Sequence, residues 1–258
     1  MYKLYFFLFC AVLFASCGKK YRIEGVSSVS LLDGKMLFIK VPAGDKWVNI
    51  DSAEVIHGLF KMEGKADSTM LATLFMDDEC IMPFVIEQGK ININIDNAGI
   101  TIKGTPLNDS FNDFIMQKNS LDDRAYEVER EESRMIMDGK DLMTVHQEIE
   151  KKRLALSDEM NTLVKDFIGA NYDNVLGPGV FILWCNSMPY PILTPLMKEI
   201  VDKAPESFRN DQGIPDGGAE QYGEDALIKK RHTERCGCTV CMPFFQLRYF
   251  SGSPLSMA

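Results

Sequence analysis

The spacing of apolar residues changes once along the chain, near residue 105, and this change most constrains the fold. Between residues 21 and 105 the chain consists of short segments with period-two alternation or β-branched enrichment, separated by glycine-containing turns. These segments read YRIEG, KMLFIKV, WVNIDSAEV, GLFKMEG, PFVIEQG and KININID. Such spacing predicts an antiparallel β-sandwich or open barrel of about seven or eight strands.

The segment KININIDNAGITIKG shows the alternation most clearly. Its polar positions, which include Asn92, Asn94 and Lys103, alternate with isoleucines. Because side chains of a strand point to opposite faces in turn, the isoleucines share one face. We therefore predict a hairpin whose buried face is formed by Ile91, Ile93, Ile95, Ile100 and Ile102.

After residue 105 the apolar spacing becomes helical. Thr105 is a candidate N-cap and Pro106 suits the first helical position. This helix is predicted to end at Asp138-Gly139, and a second helix to run from Asp141 to Ala170. Their charged stretches, such as EVEREESR, are interpreted as solvated surface. The predicted buried stripes comprise Leu107, Phe111, Phe114 and Ile115, then Leu142, Val145, Ile149, Leu156, Met160, Leu163, Val164 and Phe167.

Two shorter helices are predicted further along the chain. VLGPGVFILWCNS is apolar but too short to span a bilayer, so Trp184 and Cys185 are expected in the protein core. LTPLMKEIVDKAP begins with Thr194 and Pro195 in capping positions and ends at Pro205. The predicted class is α+β: a sandwich over 18–105, a helical region with a helix hairpin over 106–205, and an irregular, disordered tail over 206–258.

The first residues, MYKLYFFLFCAVLFASCGKK, place Lys3 before an apolar run and small residues before a cysteine. This order predicts a secretory signal over residues 1–17. The stretch LFASC resembles the lipobox of bacterial lipoproteins, in which cleavage precedes a cysteine that is then acylated. We expect Cys17 to be lipidated; the alternatives are an ordinary signal peptide that contains a cysteine and a transmembrane anchor.

Gly18, Lys19 and Lys20 follow the cysteine, whereas surface-exported lipoproteins of Bacteroidetes-type cells are similar in carrying acidic residues there. We therefore expect a cell-envelope protein anchored on the periplasmic side of a membrane. Either membrane of the envelope satisfies this expectation.

Composition and motifs exclude several function classes. A net charge of −9 argues against nucleic acid as a partner, because phosphate binding requires clustered cations. The chain contains no glycine-rich phosphate loop, GxSxG or HExxH sequence. His57 and His146 have no partner at metal-ligand spacing. We therefore expect no catalytic residues and no cofactor.

Several segments together resemble a known family. YRIEG, the turn Asp33-Gly34-Lys35, IDSAEVIHGLFKMEGKA, PFVIEQGKININID and KGTPLND are similar, in order and spacing, to the domain of unknown function catalogued under number 4369. The resemblance implies an exported lipoprotein of Bacteroidetes-type cells, in which a thioredoxin-like domain often follows. The family has no assigned catalytic residues, so Gly104, Thr105 and Pro106 are interpreted as structural. A thioredoxin-like domain needs on the order of 100 residues, and residues 211–258 are too few for it.

The remaining cysteines leave several alternatives open. Cys80 is either a buried thiol or one half of a bridge. In RCGCTVCMP, Cys238 and Cys241 have the spacing of a redox dithiol, but the preceding ALIKKRHTER is too charged for a buried strand. These two cysteines are also candidates for an incidental disulfide. Four weak candidate zinc ligands lie in the same stretch, although a tail with no site is favoured: His232, Cys236, Cys238 and Cys241.

Two functions follow as hypotheses. The first is a lipid-anchored, non-catalytic module that binds an envelope protein or ligand. The second is a protein related to thiol-disulfide oxidoreductases whose catalytic domain is truncated or missing.

Overall fold

The computed structural model of the chain describes residues 19–44, 46–187 and 194–209. Within these residues, the N-terminal part forms eight strands in two four-stranded sheets. Side chains from both sheets meet in one core, and the sheets do not close into a barrel. The predicted sandwich is confirmed, and helices follow it as the α+β class requires.

Sheet A contains β1 (Lys20–Ser27), β4 (Leu59–Lys65), β7 (Gly89–Asp96) and β8 (Gly99–Lys103), in the order β4-β1-β7-β8. Sheet B contains β2 (Met36–Ala43), β3 (Lys46–Glu54), β5 (Met70–Met76) and β6 (Glu79–Ile86), in the order β3-β2-β5-β6. All neighbouring strands are antiparallel except β1 and β7, which run parallel. The alternation within a single segment cannot indicate a parallel pair, because the partner is far away in sequence.

The helical part contains α1 (Pro106–Met137), α2 (Leu142–Ala170), α3 (Leu176–Ser187), α4 (Pro195–Lys203) and α5 (Glu206–Arg209). Thr194 caps its helix as predicted, because it accepts a hydrogen bond from the Met197 N–H (3.2 Å). Asp141, which was predicted only as the start of the second helix, also acts as an N-cap and accepts a hydrogen bond from the Thr144 N–H (2.9 Å). Helix α5 lies within the segment that the sequence predicts to be irregular. It forms a turn there because Phe208 packs in the main core.

Helices α1 and α2 form the predicted hairpin. Three ion pairs join their charged faces: Lys152–Glu131 (2.6 Å), Arg153–Glu132 (2.5 Å) and Arg124–Glu159 (2.5 Å). The far end of the hairpin has its own small apolar cluster around Ile149. The prediction that Leu142 is buried was wrong: it is 66% exposed, because it begins α2 at the turn, where α1 has already ended.

The sequence did not single out strand β5, which lies inside sheet B. All side chains from residue 72 to residue 75 are buried, so no polar alternation marks the strand. At β5, one face of sheet B packs on sheet A and the other on α3. At this second contact, Gly179 of α3 approaches Leu71 so closely that a Cβ on the glycine would lie 2.8 Å from Leu71 Cδ2.

One buried amide, that of Asn108, joins the sandwich to α1. Strand β6 is at the edge of sheet B, so one side of its backbone has no strand partner. Asn108 Oδ1 accepts a hydrogen bond from the Val85 N–H (2.9 Å), and Nδ2 donates to the Val85 carbonyl (2.8 Å). The same Nδ2 also donates to Thr105 Oγ1 (2.8 Å). The side chain therefore occupies the position of a further strand.

The first turn of α1 is capped from the sandwich and not by its own N-cap side chain. Glu87 Oε1 accepts hydrogen bonds from the N–H groups of Leu107 (2.9 Å) and Asn108 (3.3 Å). A carboxylate is favoured there because the first N–H groups of a helix have no partner within it. Gly104 has a φ of +108°, and a Cβ there would lie 2.6 Å from the Lys90 carbonyl oxygen. The structural interpretation of Gly104 and Thr105 is thus confirmed.

A hydrogen bond also connects the two sheets at one side. The Tyr21 hydroxyl of β1 donates to Asp51 Oδ2 of β3 (3.0 Å). Burial, followed by the hydrogen bond to Asp51 and the charge of that carboxylate, raises the pKa of Tyr21 above its ordinary value of 10.0.

We predict that Asn108→Ala lowers the free energy of unfolding by roughly 3 kcal/mol, because two backbone groups of Val85 lose their buried partner. Urea denaturation measures this change. Asn119→Ala, at an exposed position of the same helix, is the matched control, and its effect should stay within about 0.5 kcal/mol. Equal effects of the two substitutions would contradict the role assigned to Asn108.

A second prediction concerns alkaline stability. Because folding raises the pKa of Tyr21, its contribution is full below pH 10.0 and is lost as the pH rises towards the folded value. The difference in unfolding free energy between the parent chain and Tyr21→Phe should therefore be constant below about pH 9 and shrink above about pH 10. Tyr126→Phe, at an exposed tyrosine, controls for the loss of one hydroxyl. A pH-independent difference for Tyr21→Phe would contradict the prediction.

Candidate functional site

The sequence-derived site residues fall outside the part of the chain that the structure describes. They are the expected lipidation residue and the cysteine-rich stretch near the C-terminus. The structure therefore leaves these predictions untested: Cys17, His232, Cys236, Cys238 and Cys241.

The two described histidines are both exposed. His57 occupies a turn with a φ of 52°, and His146 lies on α2. Across residues 19–44, 46–187 and 194–209, no three histidine, cysteine or acidic side chains come together as metal ligands. Nor is any helix in these ranges long and apolar enough to cross a membrane.

Cys80 is disulfide-bonded, which decides between the two alternatives that the sequence left open. It is half-buried near the start of β6. Cys185 is also half-buried and packs against the main core, in agreement with its predicted position on α3.

Two polar side chains on the buried side of α1, Asn108 and Lys118, have structural partners. Lys118 is only 4% exposed, and its ammonium group pairs with the Asp122 carboxylate at 2.5 Å. A buried charge is tolerated when it is paired in this way. The sequence missed Lys118 and Asn108 as buried positions, because their residue types are usually exposed. For Asn108, the weak signal available was its place in the KGTPLND segment.

The outer face of sheet A is the candidate functional surface. Alternate residues of its four strands point away from the core and are mostly exposed. We call this surface the basic face, because it carries six cationic side chains and three carboxylates. The cations are Lys20, Arg22, Lys61, Lys65, Lys90 and Lys103, and the carboxylates are Glu24, Glu63 and Asp96.

Strand register arranges these charges in rows across the sheet. In the row nearest the start of β1, Lys20 lies opposite Lys65. In the next row, Arg22 lies between Glu63 of β4 and Lys90 of β7. The third row runs from β4 to β8 through Lys61, Glu24, Asn92 and Lys103.

Only part of this positive charge is neutralised within the face. Glu24 pairs with Lys90 (2.7 Å) and with Arg22 (3.2 Å). The hydrogen bond from Lys90, together with the surrounding cations, lowers the pKa of the Glu24 carboxyl. Three lysines form no ion pair with any described residue: Lys20, Lys61 and Lys65.

The fourth row is apolar where β1 and β4 meet. Val26 and Leu59 are cross-strand partners, and they are 50% and 53% exposed. Along β1, the basic face therefore changes from lysine-rich rows near the start of the strand to an exposed apolar pair at its other end.

The cations of the basic face are mostly exposed to water. Surface lysines attract anions through an additive, salt-dependent field, and they do not need one fixed geometry to do so.

Residues 21–111 match the family described as "Domain of unknown function (DUF4369)". No curated protein matches the chain. The matched range begins in β1 and ends in the second turn of α1, so it includes the sandwich together with the contact between Asn108 and Val85. The similarity to the DUF4369 family thus covers the sandwich and the first turns of α1.

Proposed function

We propose that this protein is an exported, lipid-anchored and non-catalytic module of the cell envelope, which binds an envelope protein or ligand. The sequence LFASC at the end of a short apolar run carries the proposal. Acylation of Cys17 would hold the sandwich at the periplasmic side of a membrane. Several acyl chains on one residue give nearly permanent anchoring, since each buried methylene adds about 0.8 kcal/mol.

The state of Cys80 supports export. A structural disulfide persists in oxidising compartments and is rare where thiols are kept reduced. The periplasm is such a compartment. A half-buried disulfide on β6 is therefore consistent with a chain that matures outside the cytoplasm.

The charges of the basic face support a binding role. Lys20, Lys61 and Lys65 have no ion-pair partner among the described residues, so their charges are available to another molecule. The alternative, a protein related to thiol-disulfide oxidoreductases, predicts reduction of insulin by the purified chain. We expect no insulin reduction by the purified chain.

We predict that the chain, expressed in a bacterial host with labelled palmitate, becomes labelled and sediments with membranes. Cys17→Ser should abolish the label, because no other residue of LFASC offers a thiol for acyl transfer. Gel fluorography and membrane fractionation measure the two effects.

Cys10→Ser is the matched control, because it removes a thiol from the same N-terminal segment and leaves the lipobox intact. It should remain labelled. A Cys17→Ser chain that keeps both its label and its membrane association would disprove the proposed anchor.

A further inference from the structure

We propose that the basic face of sheet A lies against an anionic phospholipid surface. The proposal rests on the proposed function in one respect, namely that an anchor at Cys17 brings this face to a bilayer. The occupant is a membrane whose exposed leaflet contains anionic headgroups. The basic face then sets how the sandwich is oriented on the membrane.

The short stretch of chain between Cys17 and sheet A limits the distance between the bilayer and the sheet. Lys20, the first residue of β1, is three positions after Cys17. Three residues span at most about 10 Å. The Debye length at physiological ionic strength is about 8 Å, so the field of the headgroups reaches the first row of the face. Lys20 and its neighbour Lys65 therefore lie within reach of that field.

The order of the rows suits a sheet that lies flat on the membrane. All six cations lie in the three rows nearest the start of β1. The exposed pair Val26 and Leu59 follows in the fourth row. A sheet laid on the bilayer brings the lysines to phosphate groups and this apolar pair to the interface. Lysine side chains suit such a surface because their stems lie along apolar groups while the ammonium group reaches the polar layer.

The rest of the molecule has the opposite charge. The whole chain has a net charge of −9, and α1 alone contains eight carboxylates and four cations. Helix α3 packs on sheet B through Gly179, whereas α1 lies along the edge strands β6 and β8, where its Asp113 is 3.9 Å from Lys103 of the basic face. An anionic surface therefore attracts sheet A and repels the helical hairpin. This asymmetry favours one orientation, with the exposed face of sheet A towards the membrane.

A soluble acidic protein is less well matched to this face. The cations are spread over all four strands of sheet A, and the unpaired lysines belong to two of them. They form no pocket with a fixed geometry for one carboxylate. A fluid layer of phosphate groups adapts to such a spacing, and the short tether from Cys17 supplies a high local concentration of that layer.

The test uses the chain from Gly18 onwards, which keeps every described residue and lacks the acylated cysteine. Sedimentation measures its binding to vesicles of phosphatidylcholine, with or without phosphatidylglycerol, at about 0.05 M salt. We expect binding only when phosphatidylglycerol is present. Raising the salt to about 0.5 M should abolish it.

The triple variant Lys20→Gln/Lys61→Gln/Lys65→Gln should lower the partition coefficient about 100-fold, since each lysine near an anionic surface contributes about fivefold. Lys140→Gln/Lys151→Gln/Lys198→Gln changes the net charge equally at exposed positions outside sheet A. This control should bind within about threefold of the parent chain. Thermal melting checks that both variants remain folded. If the triple variant unfolds, Lys61→Gln/Lys65→Gln replaces it, and its partition coefficient should fall about 25-fold.

Three outcomes would overturn the proposal. They are equal binding to both kinds of vesicle or to neither, an equal loss in the control variant, and binding to soluble polyglutamate without binding to vesicles. The last outcome would assign the basic face to an acidic protein partner. The chain from Gly18 onwards lacks Cys17, so its binding to vesicles does not depend on acylation. Failure of the acylation experiment can therefore be distinguished from failure of the vesicle experiment.

Discussion

The unpaired backbone edge of strand β6 is the constraint on which the rest of the structure depends. Buried N–H and carbonyl groups require partners, and no further strand follows β6 in sheet B. The Asn108 amide supplies both partners through Val85, while Glu87 of the sandwich caps the first turn of the same helix. These contacts fix where α1 leaves the sandwich. The position of α1 in turn determines where α2 and the shorter helices can pack.

Packing the helices on sheet B makes the sandwich asymmetric. In sheet B, β5 and much of β6 are covered on both faces and consist of buried residues, whereas β3 of the same sheet is mostly exposed. Sheet A is covered on one face, so its strands keep the alternation of apolar and charged residues. The exposed face that results carries excess positive charge on a chain whose net charge is −9. Net charge alone therefore conceals the surface to which we assign binding.

The candidate surface was only partly predictable. Alternation within KININIDNAGITIKG correctly assigned Lys103 and the asparagines to the outer face and the isoleucines to the core. It could not indicate that Lys61 of β4 and Lys90 of β7 flank the same strand, β1. That neighbourhood depends on the parallel pairing of β1 with β7, whose partners are about 68 positions apart in sequence.

The sequence by itself determined the two halves of the chain, the ends of most helices and the buried face of the last hairpin. These properties depend on local periodicity and on capping residues such as Asp141 and Thr194, which act within a few positions. Tertiary structure alone decided the strand order, the burial of Asn108 and Lys118, and the assembly of the basic face. The physical reason is that these features come from contacts between residues distant in the chain, where a polar side chain becomes buried only if a particular partner is already in place.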